Sequence, residues 1–258
     1  MTQTTQAGIT LAGVNMRFGG LQAISDLTME IVPGRTTALI GPNGAGKTTI
    51  FNLITGFLKP NSGTIRYVDH DLLSLRPDQV ARTGIGRSFQ DLKLFRELTC
   101  LDNVLAATPV GAGESVGSAI VMRRRIKREE TERIEKAEEM LAFTGLQDKR
   151  NVRARDLGYA EAKMLVLARV LTLDSKILLL DEPCSGLDHA ALDRVRDMLA
   201  KIVVQGRTIC LIEHNMALVR DVADFGIFLE QGALIAADTI DNLLADSGMR
   251  ERYLGIGA

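Results

Sequence analysis

The feature that most constrains this chain is the run Gly41-Pro42-Asn43-Gly44-Ala45-Gly46-Lys47-Thr48. It lies between an apolar, β-branched stretch, Thr36 to Ile40, and a helix-forming stretch, Thr48 to Thr55. Glycine, four residues, glycine, lysine and threonine make a complete phosphate-binding loop. Its backbone N–H groups can surround phosphate oxygens, and the helix N-terminus adds partial positive charge. Lys47 is placed to reach the β- and γ-phosphates, and Thr48 to offer its hydroxyl to Mg²⁺. A structural glycine turn is the alternative; the strand-then-helix context favours a nucleotide site.

Around this loop the pattern alternates. Ile9 to Ile31 reads as antiparallel strands broken at Phe18-Gly19-Gly20, and Pro33-Gly34 is a turn. Pro60 to Gly63 is expected to turn and Thr64 to Val68 to form a strand. From about Leu92 to Leu171 the pattern is helical, with Ile126, Ile134, Ala137 and Met140 spaced for one face. The basic run Arg123 to Arg128 is balanced by Glu129, Glu130, Glu132 and Glu135, as on a solvated helix face. Ala107 to Ala119, with three glycines, reads as a connector. Lys176 to Leu180 and Thr208 to Ile212 are continuous apolar runs separated by a helix, Ala190 to Val204. Buried parallel strands alternating with helices imply a doubly wound α/β sheet, with ligands at the strands' carboxyl ends.

The chemistry gathers at those ends. Asp181 closes one apolar strand and is suited to hold Mg²⁺; Glu182, next to it, can orient or deprotonate a water. Read alone, the pair could instead cap a turn. His214 ends the other strand and is placed for a γ-phosphate contact. His70, between Asp69 and Asp71, is expected in a polar turn at the surface, and His189 has no such support. Gln90 falls at the junction of sheet and helical region, where its amide can touch Mg²⁺ or the attacking water. Phe18 can stack on adenine or pack in a core.

Bulk properties exclude several classes. The 258 residues are 46% hydrophobic and 24% charged, with a net charge of −1, so no basic field points to nucleic acid. No apolar run approaches the ~18 residues of a membrane helix, and Met1 to Gly8 is not patterned as a secretory signal. Cys100, Cys184 and Cys210 are scattered and have no metal spacing. The expectation is a cytoplasmic protein without its own membrane anchor.

In this order the motifs resemble the nucleotide-binding subunit of an ABC transporter over nearly the whole chain. Phe18 matches the adenine-stacking aromatic, Gly41 to Thr49 the phosphate loop, and Gln90 the glutamine of the lobe hinge. Ile177 to Glu182 matches the acid-tipped strand with the catalytic glutamate, Ser185-Gly186-Leu187-Asp188 the loop at the dimer interface, and His214 the switch histidine. Arg17 to Leu21, Gly84 to Gln90, Leu94 to Thr99, Ile212 to Met216 and Tyr253-Leu254-Gly255 look like the ATPases of branched-chain amino-acid importers. The ATPases of urea importers are very similar, and a lipopolysaccharide-export ATPase shares the general tail.

The resemblance implies a phosphate-loop NTPase (RecA-like) core with an N-terminal antiparallel β subdomain and an inserted helical subdomain. It implies a single ABC ATPase domain, with residues 1–91 and 172–258 as catalytic core and 92–171 as the helical part. Implied cofactors are ATP and Mg²⁺, the metal held through Thr48, Gln90 and Asp181; Glu182, His214, Gln90 and Lys47 carry catalysis. Implied partners are a second ATPase subunit (a heterodimer preferred, a homodimer the alternative), two membrane permease subunits and a solute-binding protein. The place of work is the cytoplasmic face of the membrane. A chromosome- or ribosome-type ABC ATPase would need a long coiled coil or two cassettes. A kinase-like protein acting alone would leave the signature and interface loops without a role.

One motif departs from the family. The signature Leu-Ser-Gly-Gly-Gln, or Leu-Ser-Tyr-Gly-Glu/Gln in this branch, is here Leu157-Gly158-Tyr159-Ala160-Glu161. The serine hydroxyl is missing at 158, and the close-approach glycine has gained a methyl at 160. In the family this segment caps ATP on the facing subunit, so the change bears on the partner's site.

Overall fold

The computed structural model describes residues 8–108, 123–246 and 248. The chain gathers into two compact units. One comprises Met1–Arg87, Lys176–Ser185 and His189–Ala258, the other Ser88–Ser175 and Gly186–Asp188. Among the described residues no helix is long and apolar enough to cross a membrane.

The first unit holds two sheets. β1 (Ile9–Phe18) and β2 (Leu21–Ile31) form an antiparallel hairpin around Gly19-Gly20. Alternation buries Ile9, Leu11, Val14 and Met16 from one strand and Leu27, Met29 and Ile31 from the other. β4 (Ser62–Tyr67) and β5 (His70–Asp71) extend this sheet in the order β2-β1-β4-β5.

The second sheet is built from β3 (Thr36–Ile40), β6 (Ile85–Arg87), β7 (Ile177–Asp181), β8 (Thr208–Ile212), β9 (Phe225–Glu230) and β10 (Ala233–Thr239). Its order is β10-β9-β3-β8-β7-β6, parallel except for β10. Every residue of β3, β7 and β8 is buried, as continuous apolar runs in a sheet covered on both faces require. α1 (Lys47–Ile54) adds Ile50, Phe51, Leu53 and Ile54 to the core beside them. Further helices are α2 (Pro77–Arg82), α6 (His189–Val204), α7 (Met216–Val222) and α8 (Ile240–Ala245). Val195, Leu199 and Ile202 form the buried stripe of α6.

Three expectations change here. The strand expected over Thr64 to Val68 starts two residues earlier, because Ser62 already pairs with Asn15. Gly63 belongs to the strand, not to a turn. β1 passes so close that a Cβ at 63 would lie 2.5 Å from the Gly13 carbonyl oxygen. Val68 falls instead in the turn to β5, with φ 52°. His70 is exposed, as expected, but sits in the two-residue strand β5 rather than in a turn.

The second unit is helical: α3 (Cys100–Leu105), α4 (Arg123–Phe143) and α5 (Tyr159–Leu171). Its core includes Cys100, Val104, Ala137, Leu141, Leu165 and Ala168. Ala137 lies on the predicted α4 face, which is completed by Leu141, whereas Met140 is half-buried; the Ile126 side chain lies outside the described residues. The sequence-predicted connector falls largely on positions 109–122, outside the described residues, as does Tyr253 to Gly255.

Fully buried Asn103 pins the loop before α3. Its amide donates to the carbonyls of Phe95 (3.0 Å), Leu98 (3.3 Å) and Thr99 (3.0 Å), and its oxygen accepts the Phe95 N–H (2.9 Å). That loop presents Phe95, 51% exposed, and Leu98. Asn103→Leu keeps the volume and loses all four bonds. We expect a loss of about 2 kcal/mol, read in thermal unfolding as a fall of roughly 4–8 °C in Tm.

Candidate active site

Strand register builds the site. Leu39 of β3 pairs with Ile212 of β8, and Ile212 pairs in turn with Asp181 of β7. Three adjacent strands therefore end at one level, and the loops that leave them share one edge of the sheet. From β3 leaves the phosphate loop, from β7 the pair Asp181-Glu182, and from β8 the pair Glu213-His214.

Pro42, Asn43 and Gly44 of the loop are exposed, whereas Ala45 and Lys47 are buried. Gly41 is irreplaceable for packing, since a Cβ there would fall on the Leu229 carbonyl oxygen. Gly44, at φ 82°, has nothing within 4 Å of a Cβ position and leaves the loop's outer side open. Lys47 Nζ donates to the carbonyls of Gly41 (2.7 Å) and Pro42 (2.9 Å). Burial pulls the lysine pKa down, and the charges of Glu182 and Asp181 oppose that fall. α1 has no side-chain cap and no acid in its first turn, so its N-terminal N–H groups are not neutralised by a local carboxylate. Thr48 is exposed and Thr49 half-buried at that end.

Asp181 is buried, and desolvation pushes its carboxyl pKa up; Arg87 acts in the opposite sense. The Arg87 guanidinium lies 3.8 Å from the carboxylate. It also donates to Asn52 Oδ1 (2.8 Å) and Thr55 Oγ1 (2.9 Å) and stacks on Phe51 and Phe57. Glu182 has a left-handed backbone, φ 50°, held where its N–H donates to the Ile212 carbonyl (2.9 Å). His214 Nε2 lies 3.1 Å from Glu182 Oε1. Buried Glu213 accepts the N–H of Cys184 (2.8 Å) through one oxygen and that of His214 (3.3 Å) through the other.

The structure thus brings Lys47, Thr48, Asp181, Glu182 and His214 to one edge. Phe18, 46% exposed at the β1–β2 turn, is not a core residue. Gln90 is exposed and belongs to the second unit with Leu157 to Glu161. There Gly158 is the N-cap of α5 in an extended conformation, φ −65°, that any residue adopts. Its N–H donates to Glu161 Oε2 (3.0 Å), and Glu161 is also paired with Lys149. A Cβ at 158 would meet only that carboxylate, at 3.7 Å, so serine fits there. Ala160 is half-buried, and Tyr159, 53% exposed, lies against Gly186, which groups with Leu187 and Asp188 in this unit. Ser185 belongs to the first unit, its N–H donating to the Glu182 carbonyl (3.4 Å).

Arg87 and Glu213 are the site residues to which the sequence reading gave no role. The available signals were an arginine ending a short apolar strand and an acid directly after a fully apolar one.

The chain as a whole is similar to known proteins. The family profile described as ABC transporter matches residues 24–185. The chain is 36% identical over 252 residues to the high-affinity branched-chain amino acid transport ATP-binding protein LivG of Escherichia coli K12, covering 97% of this chain and 99% of that protein. It is 34% identical to the corresponding protein BraF of Pseudomonas aeruginosa, covering 96% of this chain and 97% of that protein. A solved ATP-binding cassette of an ABC transporter in its ADP conformation superposes with a TM-score of 0.82 at 29% identity, covering 98% of this chain and 100% of that one.

Removing Arg87 takes away the strongest positive charge acting on the buried Asp181 carboxylate. We expect Arg87→Met to cost about 3 kcal/mol at neutral pH. Asp181 is already raised above its unfolded pKa, and this change raises it further, so the folded state takes up a proton more readily than the unfolded one. The cost is therefore smallest at acid pH and grows as pH rises past the ordinary carboxylate range. Urea unfolding of both proteins between pH 4 and 8 measures this trend.

Proposed function

Since the chain belongs to the ABC transporter family as one of its ATP-hydrolysing subunits, we propose that it powers uptake of branched-chain amino acids through separate permease subunits. The near full-length likeness to LivG and BraF supports that substrate class. The observation that carries the hydrolytic part is the alignment of β3, β7 and β8, which sets the phosphate loop beside Asp181, Glu182 and His214.

The chain's residues divide the work. Phe18 stacks on the adenine. The loop amides from Gly41 to Thr49 and the α1 N-terminus take the phosphates, and Lys47 exchanges its two backbone carbonyls for phosphate oxygens. Thr48 and Asp181 are hard oxygen donors at one sheet edge and fit Mg²⁺, with Gln90 as a further ligand. When bound, that ion neutralises charge on the phosphate oxygens. Glu182 accepts a proton from the attacking water, while His214, already beside it, stabilises the transferring γ-phosphoryl. Catalysis here is mainly positioning and charge stabilisation.

The 258 residues act as one ABC ATPase domain on the cytoplasmic face of the membrane. A second ATPase subunit, by preference a different chain, supplies the facing signature, and Ser185 to Asp188 lie at that interface. Phe95 and Leu98 contact one of two permease subunits, and a solute-binding protein delivers the amino acid. The altered signature Leu157 to Glu161 makes the pair unequal: the site on this chain's Lys47 works harder than the one that Gly158 and Ala160 cap.

Reconstitution with partner subunits in vesicles tests the transport reading. ATP-driven uptake of leucine, isoleucine or valine is expected; uptake of urea alone would replace it. Glu182→Gln should lower ATP turnover by about a thousandfold or more while nucleotide binding persists. Turnover at the wild-type rate would remove Glu182 as the base. Restoring serine at 158 together with glycine at 160 should raise turnover of the assembled complex several-fold. Unchanged turnover in a correctly assembled complex counts against unequal sites.

A further inference from the structure

The geometry points to Glu213 as a positioning residue that sets Glu182 and His214 at their working separation; this rests on the roles just proposed for those two residues. Glu182 turns out of β7 with a left-handed backbone, a conformation a residue with a Cβ holds only when its surroundings enforce it. Enforcement comes from β8 and its following loop. The Glu182 N–H is held by Ile212, and two residues further on the Cys184 N–H is held by Glu213 Oε1. The second Glu213 oxygen accepts the His214 N–H. One buried carboxylate thus clamps the turn that carries the base and the backbone that carries the histidine, whose ring then meets Glu182.

A carboxylate suits this task because both of its oxygens accept. Glutamine has the same size but replaces one of the two accepting oxygens with an NH₂ donor, which then faces an N–H group. Glu213→Gln must therefore release either the Glu182 turn or His214. The two N–H groups that Glu213 holds lie on the turn after β7 and the loop after β8, so the expected loss is in the alignment of the reacting groups and not in nucleotide affinity.

The test uses the full chain assembled with its partner subunits. For Glu213→Gln we expect kcat to fall by about tenfold to a hundredfold, as for a misplacement of the order of 1 Å. KM for ATP and affinity for a non-hydrolysable ATP analogue should stay within about twofold, because the differential loss lies in the transition state. Unchanged kcat overturns the inference, as does a parallel loss of analogue affinity and turnover. Glu213→Ala, which introduces no misdirected donor, provides the second variant and should show the same split. If neither variant folds, Glu213 is a folding element and the assignment fails. Glu182→Gln, assayed alongside, separates the two levels. Wild-type turnover there sinks the base assignment itself. An inactive Glu182→Gln with a fully active Glu213→Gln sinks only the role of Glu213.

Discussion

The parallel pairing of β3, β8 and β7 is the constraint on which the site depends. Leu39, Ile212 and Asp181 lie in one row across the sheet, so the three loops that follow depart from a common level. A shift of one residue in any of these strands would turn its side chains to the other face and displace its loop. Their complete burial guards against such slippage. Core packing and catalytic geometry are therefore one problem here, solved by the same short apolar segments.

Charge burial is the second organising fact. Lys47, Asp181 and Glu213 are all buried, and Arg87 nearly so in its side chain. Each is held by partners on a different element: Lys47 by the loop carbonyls, Asp181 by Arg87 of β6, and Glu213 by amides on both sides of the β7–β8 edge. Desolvation pushes the lysine down and the aspartate up, so both are drawn toward their neutral forms. The arrival of phosphate and a cation would relieve both strains together, which prepares the edge for a charged ligand.

Much of this was legible in the sequence because β3, β7 and β8 are continuous apolar runs with both faces covered, and such runs have sharp ends. Asp181 and His214 could be placed because each closes one of them. β6 is only three residues long and gave no period. β9 contains Gly226, which looks like a breaker until the close approach of Leu243 and Ile240 explains it. Gly63 misled for the same reason: a glycine forced by a neighbouring strand reads as a turn when that strand is not in view. Arg87 and Glu213 were opaque because their meaning lies in partners distant along the chain.

Tyr159 and Gly186 carry a consequence of their own. A side chain at 186 would sit 2.9 Å from the tyrosine ring, and the glycine backbone there is left-handed, φ 74°. Position 186 is thus closed to change for two separate reasons while the aromatic ring remains, and shrinking the ring lifts only one of them. Mutational tolerance at position 186 is therefore conditional on residue 159, and a library that varies either position alone would sample a smaller set of working sequences than one that varies them together.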